Sequence, residues 1–268
     1  MSSCLPAVLT GLACYGFQTG VVGCHAQVPT SNARAVALGQ ATVALAGVDG
    51  VNENPAALAA VDKATASFGF NRLFGLSELT VQSARLAVPL GSAAVSGSFE
   101  NLGYEAYSVN QLGVALGTVL RSVQVGICAG LALHRFDRYE SFSSVRLDAG
   151  WIYPLSSFIS VGAAATGLAG SRIRTGSLAL GAGIVASISN RARLLVSFVQ
   201  PRGERLDVRI GAEVELAEMV IVRFGGTGLA GFAGFGAGVA VSRVRIDLAL
   251  SHHPRLGFSP VLTVSLTK

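Results

Sequence analysis

Charged side chains are scarce in this sequence: Asp, Glu, Lys and Arg make up 13% of its 268 residues. Lysine is nearly missing, since 18 of the 20 basic residues are arginine, and these are scattered singly. The formal net charge of +5 therefore marks no basic patch, and without one we expect no nucleic-acid partner. Of the four cysteines, Cys4, Cys14 and Cys24 lie in the first 24 residues and Cys128 stands alone. That spacing excludes a disulfide framework and a zinc site, and Cys128 reads as a small packing residue. Catalytic signatures are missing too. The glycines of "FAGFGAG" lack the strand–turn–helix context of a nucleotide loop. His252-His253 reads as a solvated turn whose rings point opposite ways, so no metal is expected. Glu213 and Glu215 would sit about 7 Å apart on one strand face, a separation that glycosidases use, but nothing else around them supports an active site. We expect no enzyme and no cofactor.

What the chain does have is apolar bulk and glycine: 51% hydrophobic residues, 33 glycines and a mean hydropathy of +0.55. The first charged residue is Arg34, and residues 5–23 are apolar or small. We expect residues 1–26 to be a secretory signal peptide cleaved after Ala26, with Cys24 and Ala26 at the small-residue positions. Val21-Val22-Gly23-Cys24 also fits a lipobox, which would make Cys24 a lipidated N-terminus. An N-terminal membrane anchor is the third reading.

From residue 64 onward the sequence alternates. In "LDVRIGAEVEL" (206–216) Asp207, Arg209, Glu213 and Glu215 occupy odd positions, while Leu206, Val208, Ile210, Val214 and Leu216 occupy even ones. Period 2 is a strand with one apolar and one polar face, whereas on a helix those charges would scatter around the circumference. Residues 122–134, 145–153, 243–251 and 260–267 behave alike. Strands are expected near 64–73, 78–90, 92–100, 110–121, 122–135, 143–154, 157–167, 177–189, 192–200, 205–216, 219–226, 233–242, 243–252 and 257–267, about 14 in all. Within 79–90 the apolar parity switches from Leu79 and Val81 to Leu86, Val88 and Leu90, which predicts a bulge. Loops are expected near 101–109 and 136–142. The charge-free stretches 149–171 and 224–242 are long enough for membrane helices, but the glycine crowding in the second is costly in a helix.

These patterns describe an all-β, antiparallel transmembrane β-barrel of about 14 strands (64–268), preceded by a short N-terminal plug element (27–63). Val208, Ile210, Val214, Val244, Ile246 and Leu248 are expected to face lipid. The charges Arg146, Asp148, Arg209, Glu213, Glu215, Arg243, Arg245 and Asp247 are expected to face the lumen, since a basic residue at the bilayer midplane costs about 2–4 kcal/mol.

Residues 33–62 lack period 2 but carry apolar side chains that need burial, Val36, Leu38, Val43, Leu45 and Leu58 among them. The lumen is the only large cavity such a chain offers. Asn54-Pro55 is expected to end the inserted stretch. Asp49 and Glu53 are expected to meet lumenal arginines such as Arg209 or Arg245.

"ARAVALGQATVALAG…NPAALA" resembles the N-terminal element of FadL-superfamily outer-membrane barrels, especially the PorV/PorQ branch of the type IX secretion machinery. Arg34, Gly39, Asn54 and Pro55 carry that likeness. "LDVRIGAEVEL", "VIVRFGG" (220–226), "IDLAL" (246–250) and "LGFSPVLTVSL" (256–266) are similar to strands of the same branch. The resemblance implies a bacterial outer-membrane barrel in contact with outer-membrane lipid, acting as a structural or shuttle component of protein secretion alongside secretion-system proteins. The wider superfamily implies the alternative, a transporter for hydrophobic small molecules.

Overall fold

A computed structural model describes residues 29–137, 139–168, 178–229 and 231–268. The expected cleavage after Ala26 and the lipidation of Cys24 lie outside the described residues. The strands are Thr65–Arg72 (β1), Thr80–Leu90 (β2), Ala93–Tyr104 (β3), Tyr107–Leu120 (β4), Val123–Phe136 (β5), Tyr139–Pro154 (β6) and Ile159–Thr166 (β7). They continue with Ala179–Ser189 (β8), Ala192–Pro201 (β9), Asp207–Ala217 (β10), Val220–Thr227 (β11), Ala233–Val241 (β12), Val244–His253 (β13) and Gly257–Thr267 (β14). Each pairs antiparallel with its sequence neighbours, and β1 pairs with β14, so the sheet closes into a barrel of 14 strands with no free edge. Among the described residues no helix is long and apolar enough to cross a membrane.

The outer surface is an apolar belt. Phe68, Leu86, Val114, Ile127, Ile210, Ile246 and Leu248 are all exposed, as are Val208 and Val244, while Val214 is half-buried. A soluble protein does not leave so continuous a greasy band bare, and in a bilayer it is the lipid-facing wall. The C-terminus lies at one end of the barrel, beside the start of β1, where the turns 91–92, 121–122, 190–191, 218–219 and 242–243 are two residues long. Short turns mark the periplasmic end in barrels of this kind.

Three sequence expectations are corrected. β2 pairs with β1 and β3 without a register shift, so no bulge explains its change of parity. Instead Val81 and Leu79 turn inward to a small apolar cluster with Leu73 and Leu102, while Leu86 and Leu90 face out. The bulges fall elsewhere, at Glu215/Ala217 and Ser187/Ser189 among other places. The expected loops near 101–109 and 136–142 are largely strand: β3 and β4 run up to the Tyr104–Tyr107 pair, and β5 and β6 to the Phe136–Tyr139 pair. The Tyr107 and Phe136 rings lie 4.9 Å apart and help carry these hairpins beyond their neighbours. His252 and His253 end β13 rather than forming a solvated turn. His253 is buried, and its Nδ1 accepts hydrogen bonds from the Arg255 and Leu256 backbone N–H groups.

Residues 29–63 lie within the ring of strands. A short helix, Ala33–Ala37 (α1), is capped by Asn32, whose side chain accepts from the Ala35 N–H. Two 3-10 turns follow, Val48–Gly50 and Pro55–Ala60. The segment buries Leu38, Val43, Ala56 and Leu58 completely or nearly so.

Candidate functional site

The N-terminal segment reaches the wall where the wall has glycine. A Cβ at Gly225 on β11 would overlap the Leu38–Gly39 peptide, and one at Gly126 on β5 would overlap Pro55. At Gly211 a Cβ would come 2.7 Å from the Leu38 carbonyl oxygen, and at Gly117 2.6 Å from the Ala59 nitrogen. Real side chains do not fit there, so the glycines let two backbones approach closely. Gly39 itself has φ +59° and rests against the Gly226 backbone, so it meets both demands at once.

Asn54 and Pro55 do not end the inserted stretch; they start its second buried turn. Asn54 is extended, as a residue before proline is biased to be. Its Oδ1 accepts from the Ala56 N–H, and its fully buried amide donates to the carbonyls of Val43 (2.7 Å), Trp151 (3.1 Å) and Ala163 (3.3 Å). The Asn-Pro pair thus ties the segment to β6 and β7.

On the opposite wall six charges form a closed ring of ion pairs. Arg34 forks the Glu213 carboxylate with two bonds of 2.8 Å and reaches Asp49 at 2.9 Å. Glu213 accepts from Arg223 (2.7 Å), Arg223 from its other side meets Asp247 (2.7 Å), and Asp247 accepts from Arg245 (2.7 Å). Arg245 closes the circuit on Asp49 at 2.7 Å. Arg34 and Asp49 belong to the N-terminal segment, and the other four to β10, β11 and β13. The ring passes over β12 at Gly238, where a Cβ would run into Asp247 and Arg223. Three positive and three negative groups alternate within the ring, and Arg193 adds a further, more exposed contact to Glu213 at 3.2 Å. Each buried charge thus has opposite-charge partners, which a buried network needs to be tolerated. Burial alone would push the Asp49 carboxyl up. The guanidiniums of Arg245 and Arg34, with the Asn32 amide, outweigh burial and hold it well below the usual carboxylate range.

A second latch joins Glu53 to Arg209 at 3.2 Å, and Arg209 to Asp207 at 2.8 Å. Asp49 and Glu53 therefore both meet arginines of the wall, Arg245 and Arg209. Arg146 and Asp148 pair with each other at 2.7 Å on β6, and Asp148 also accepts from the Gly167 N–H. Glu215 lies half-buried at the β10 bulge and makes no ion pair among the described residues. Arg243 occupies the exposed turn between β12 and β13, because the strand begins one residue after the alternation does. Sequence reasoning passed over Arg223, the largest fully buried side chain among the described residues. Its signal was available, since it is the lone charge of "VIVRFGG" and shares its parity with Gly225. Asp207 was read as part of the alternation but not as a latch.

Between the N-terminal segment and the β2–β6 wall lies a chamber of about 300 Å³, lined by Arg85, Glu100, Gln111, Arg146, Ser98 and Cys128 among others. On β4, β5 and β6 its lining residues are further from the short-turn end than the seats of the segment. On β4 Gly113 and Ala115 precede Gly117, on β5 Cys128 and Gly130 follow Gly126, and on β6 Arg146 precedes Gly150. Along β4–β6 the chamber thus lies beyond the turn Pro55–Ala60 from the short-turn end, with Pro29 and Thr30 of the segment also lining it. Among the described residues no cluster of His, Cys, Asp and Glu is arranged to hold a metal.

Fold and interior together define a class: a membrane β-barrel of 14 antiparallel strands with its own N-terminal segment inside. No protein-family model matches the sequence, and no curated protein does. Among solved structures, the fold is similar to the toluene transporter TodX of Pseudomonas putida, with a TM-score of 0.71 at 10% identity over 88% of this chain and 97% of that one. It is also similar to the toluene transporter TbuX of Ralstonia pickettii, with a TM-score of 0.62 at 11% identity over 82% of this chain and 94% of that one.

Proposed function

We propose that this chain is an outer-membrane transporter for small molecules, FadL-like in kind, whose N-terminal segment is a hatch in the lumen. The carrying observation is that the segment is held by ion pairs and close packing, with a chamber directly beyond it. Such contacts can be released and remade, which a transport path requires. The whole-chain likeness in fold to TodX and TbuX supports this reading over the secretion role that the PorV/PorQ resemblance implies. In this reading the apolar belt meets outer-membrane lipid and no chemical step occurs. A secretion component is the second reading, favoured by how completely the glycine seats fit the segment, since a sealed lumen suits a scaffold better than a channel.

Reconstitution into liposomes separates the two. A transporter makes the vesicles permeable to small solutes, toluene or polar compounds, beyond protein-free controls. Vesicles as tight as those controls, together with recovery of secretion proteins on affinity capture from solubilised outer membranes, would replace it with the scaffold reading.

A further inference from the structure

The chamber is too polar for a hydrocarbon and too specifically furnished for a passive gap. We propose that it is a binding site for a small zwitterion of the amino-acid class, with Arg85 receiving the carboxylate and Glu100 the ammonium. The proposal rests on the transporter reading for what the site serves.

Both charges are held ready. Arg85 on β2 and Glu100 on β3 project into the lumen from adjacent strands, Arg85 opposite Ser98 and Glu100 opposite Ser83. Glu100 is only 9% exposed, and Arg85 is anchored to the hatch by the Val48 carbonyl and the Asn52 side chain. Neither forms an ion pair among the described residues, although almost every other lumenal charge does. A guanidinium carries five N–H donors in a planar fork, and the two contacts of Arg85 leave donors free for a carboxylate. Glu100 has the guanidiniums of Arg85 and Arg146 near it and a hydrogen bond with Asn52, but no cation in direct contact, and an arriving ammonium supplies that contact.

The remaining lining suits the same ligand. The Gln111 amide and the Ser98 hydroxyl make no hydrogen bond among the described residues, and each lies beside a glycine that leaves it room: Ser98 by Gly113, Gln111 by Gly130. Arg146 gives its Nε and one Nη to a single Asp148 oxygen, so its other Nη stays unengaged. Among the described residues no aromatic side chain lines the chamber, so none of them offers the stacking platform that a sugar or an arene would use. At about 300 Å³ the space is at the small end of ligand pockets, which run from about 300 to 1,000 Å³.

The test is calorimetric titration of the detergent-solubilised full chain with L-alanine, acetate, methylammonium and toluene as probes. L-alanine is expected to bind saturably, with acetate and methylammonium each weaker. Arg85→Gln and Glu100→Gln should each weaken L-alanine by about tenfold or more, the effect of losing one charge-assisted bond at a buried site. Circular dichroism and heat-modified gel mobility establish that each variant is folded. Arg85→Lys, which keeps the charge, should retain part of the affinity. Toluene binding without L-alanine binding, or unchanged affinity in folded Glu100→Gln, overturns the proposal. Liposome flux read in parallel keeps the two ideas apart. Binding without flux sinks the transporter and leaves the site, while flux without L-alanine binding does the reverse.

Discussion

Arg223 shows what a single lumenal residue does in this barrel. It is 1% exposed and, from β11, bridges two carboxylates, Glu213 on β10 and Asp247 on β13. Replacing it with methionine leaves both acids one cation short in a nearly dry interior. Removing one partner of a buried pair costs about 3–5 kcal/mol. Glu213 keeps Arg34 and Arg193, and Asp247 keeps Arg245, so Arg223→Met is expected at the lower end, about 3 kcal/mol. Arg223→Lys restores the charge but cannot fork both acids and should fall between. Urea unfolding in lipid vesicles, followed by the sole tryptophan, Trp151, measures both variants. A loss for Arg223→Met below about 1 kcal/mol would mean that the neighbouring arginines re-pair and that the ring is redundant. Arg223 was hard to single out because a lone charge in an apolar strand reads as a flaw. Only its parity with Gly225 shows that it points at something.

The N-terminal segment is the element whose placement the sequence announced most fully, and the reason is burial. An apolar stretch without period 2 has nowhere to go in a membrane barrel except its lumen, and the acids within it need the arginines of the wall. The misreadings arise where lumen and lipid faces are both apolar. In β2 the inward Val81 meets an internal cluster rather than water, so polarity stops reporting the face. On β11 and β12 the inward residues are glycines beneath the segment, so the face shows as small against large instead. Asn54-Pro55 misled because proline signals a boundary, and here the boundary lies between two buried turns. The segment's hold also has a pH signature. The Asp49 carboxyl is held below its ordinary range, so its contribution to seating is fully present above the unfolded value near pH 4 and is lost only as pH falls through the depressed folded value. Single-channel current should therefore stay flat from pH 8 to about pH 4.5 and rise only in stronger acid. Asp49→Asn should remove Asp49's part of that transition and leave a raised current across the whole range. A wild-type transition near neutrality would assign the latch to some other group.

At the scale of the whole molecule, the wall and the hatch are separately satisfied, and this makes the occlusion testable. Every strand has two neighbours, and the circuit from Glu213 through Arg223 and Asp247 to Arg245 lies entirely in the wall. Deleting residues 33–55 removes Arg34, Asp49 and Glu53, but the groups they leave behind would then face water in an opened lumen rather than a dry gap. The barrel should close without its hatch. The glycine seats at 117, 126, 211 and 225 would line a wider bore, because no side chain replaces the backbone they once held. The deletion is expected to give large, sustained single-channel current in planar bilayers, where the intact chain gives little. Far-UV circular dichroism in the same detergent confirms the strand content. Unchanged current from a folded deletion would show that residues 33–55 do not occlude the lumen, and the transport path would then have to run beside them through the polar chamber at Arg85 and Glu100. Current that rises equally in Gly225→Val, where a side chain displaces Leu38, would place the seal at the glycine contacts rather than at the ion pairs.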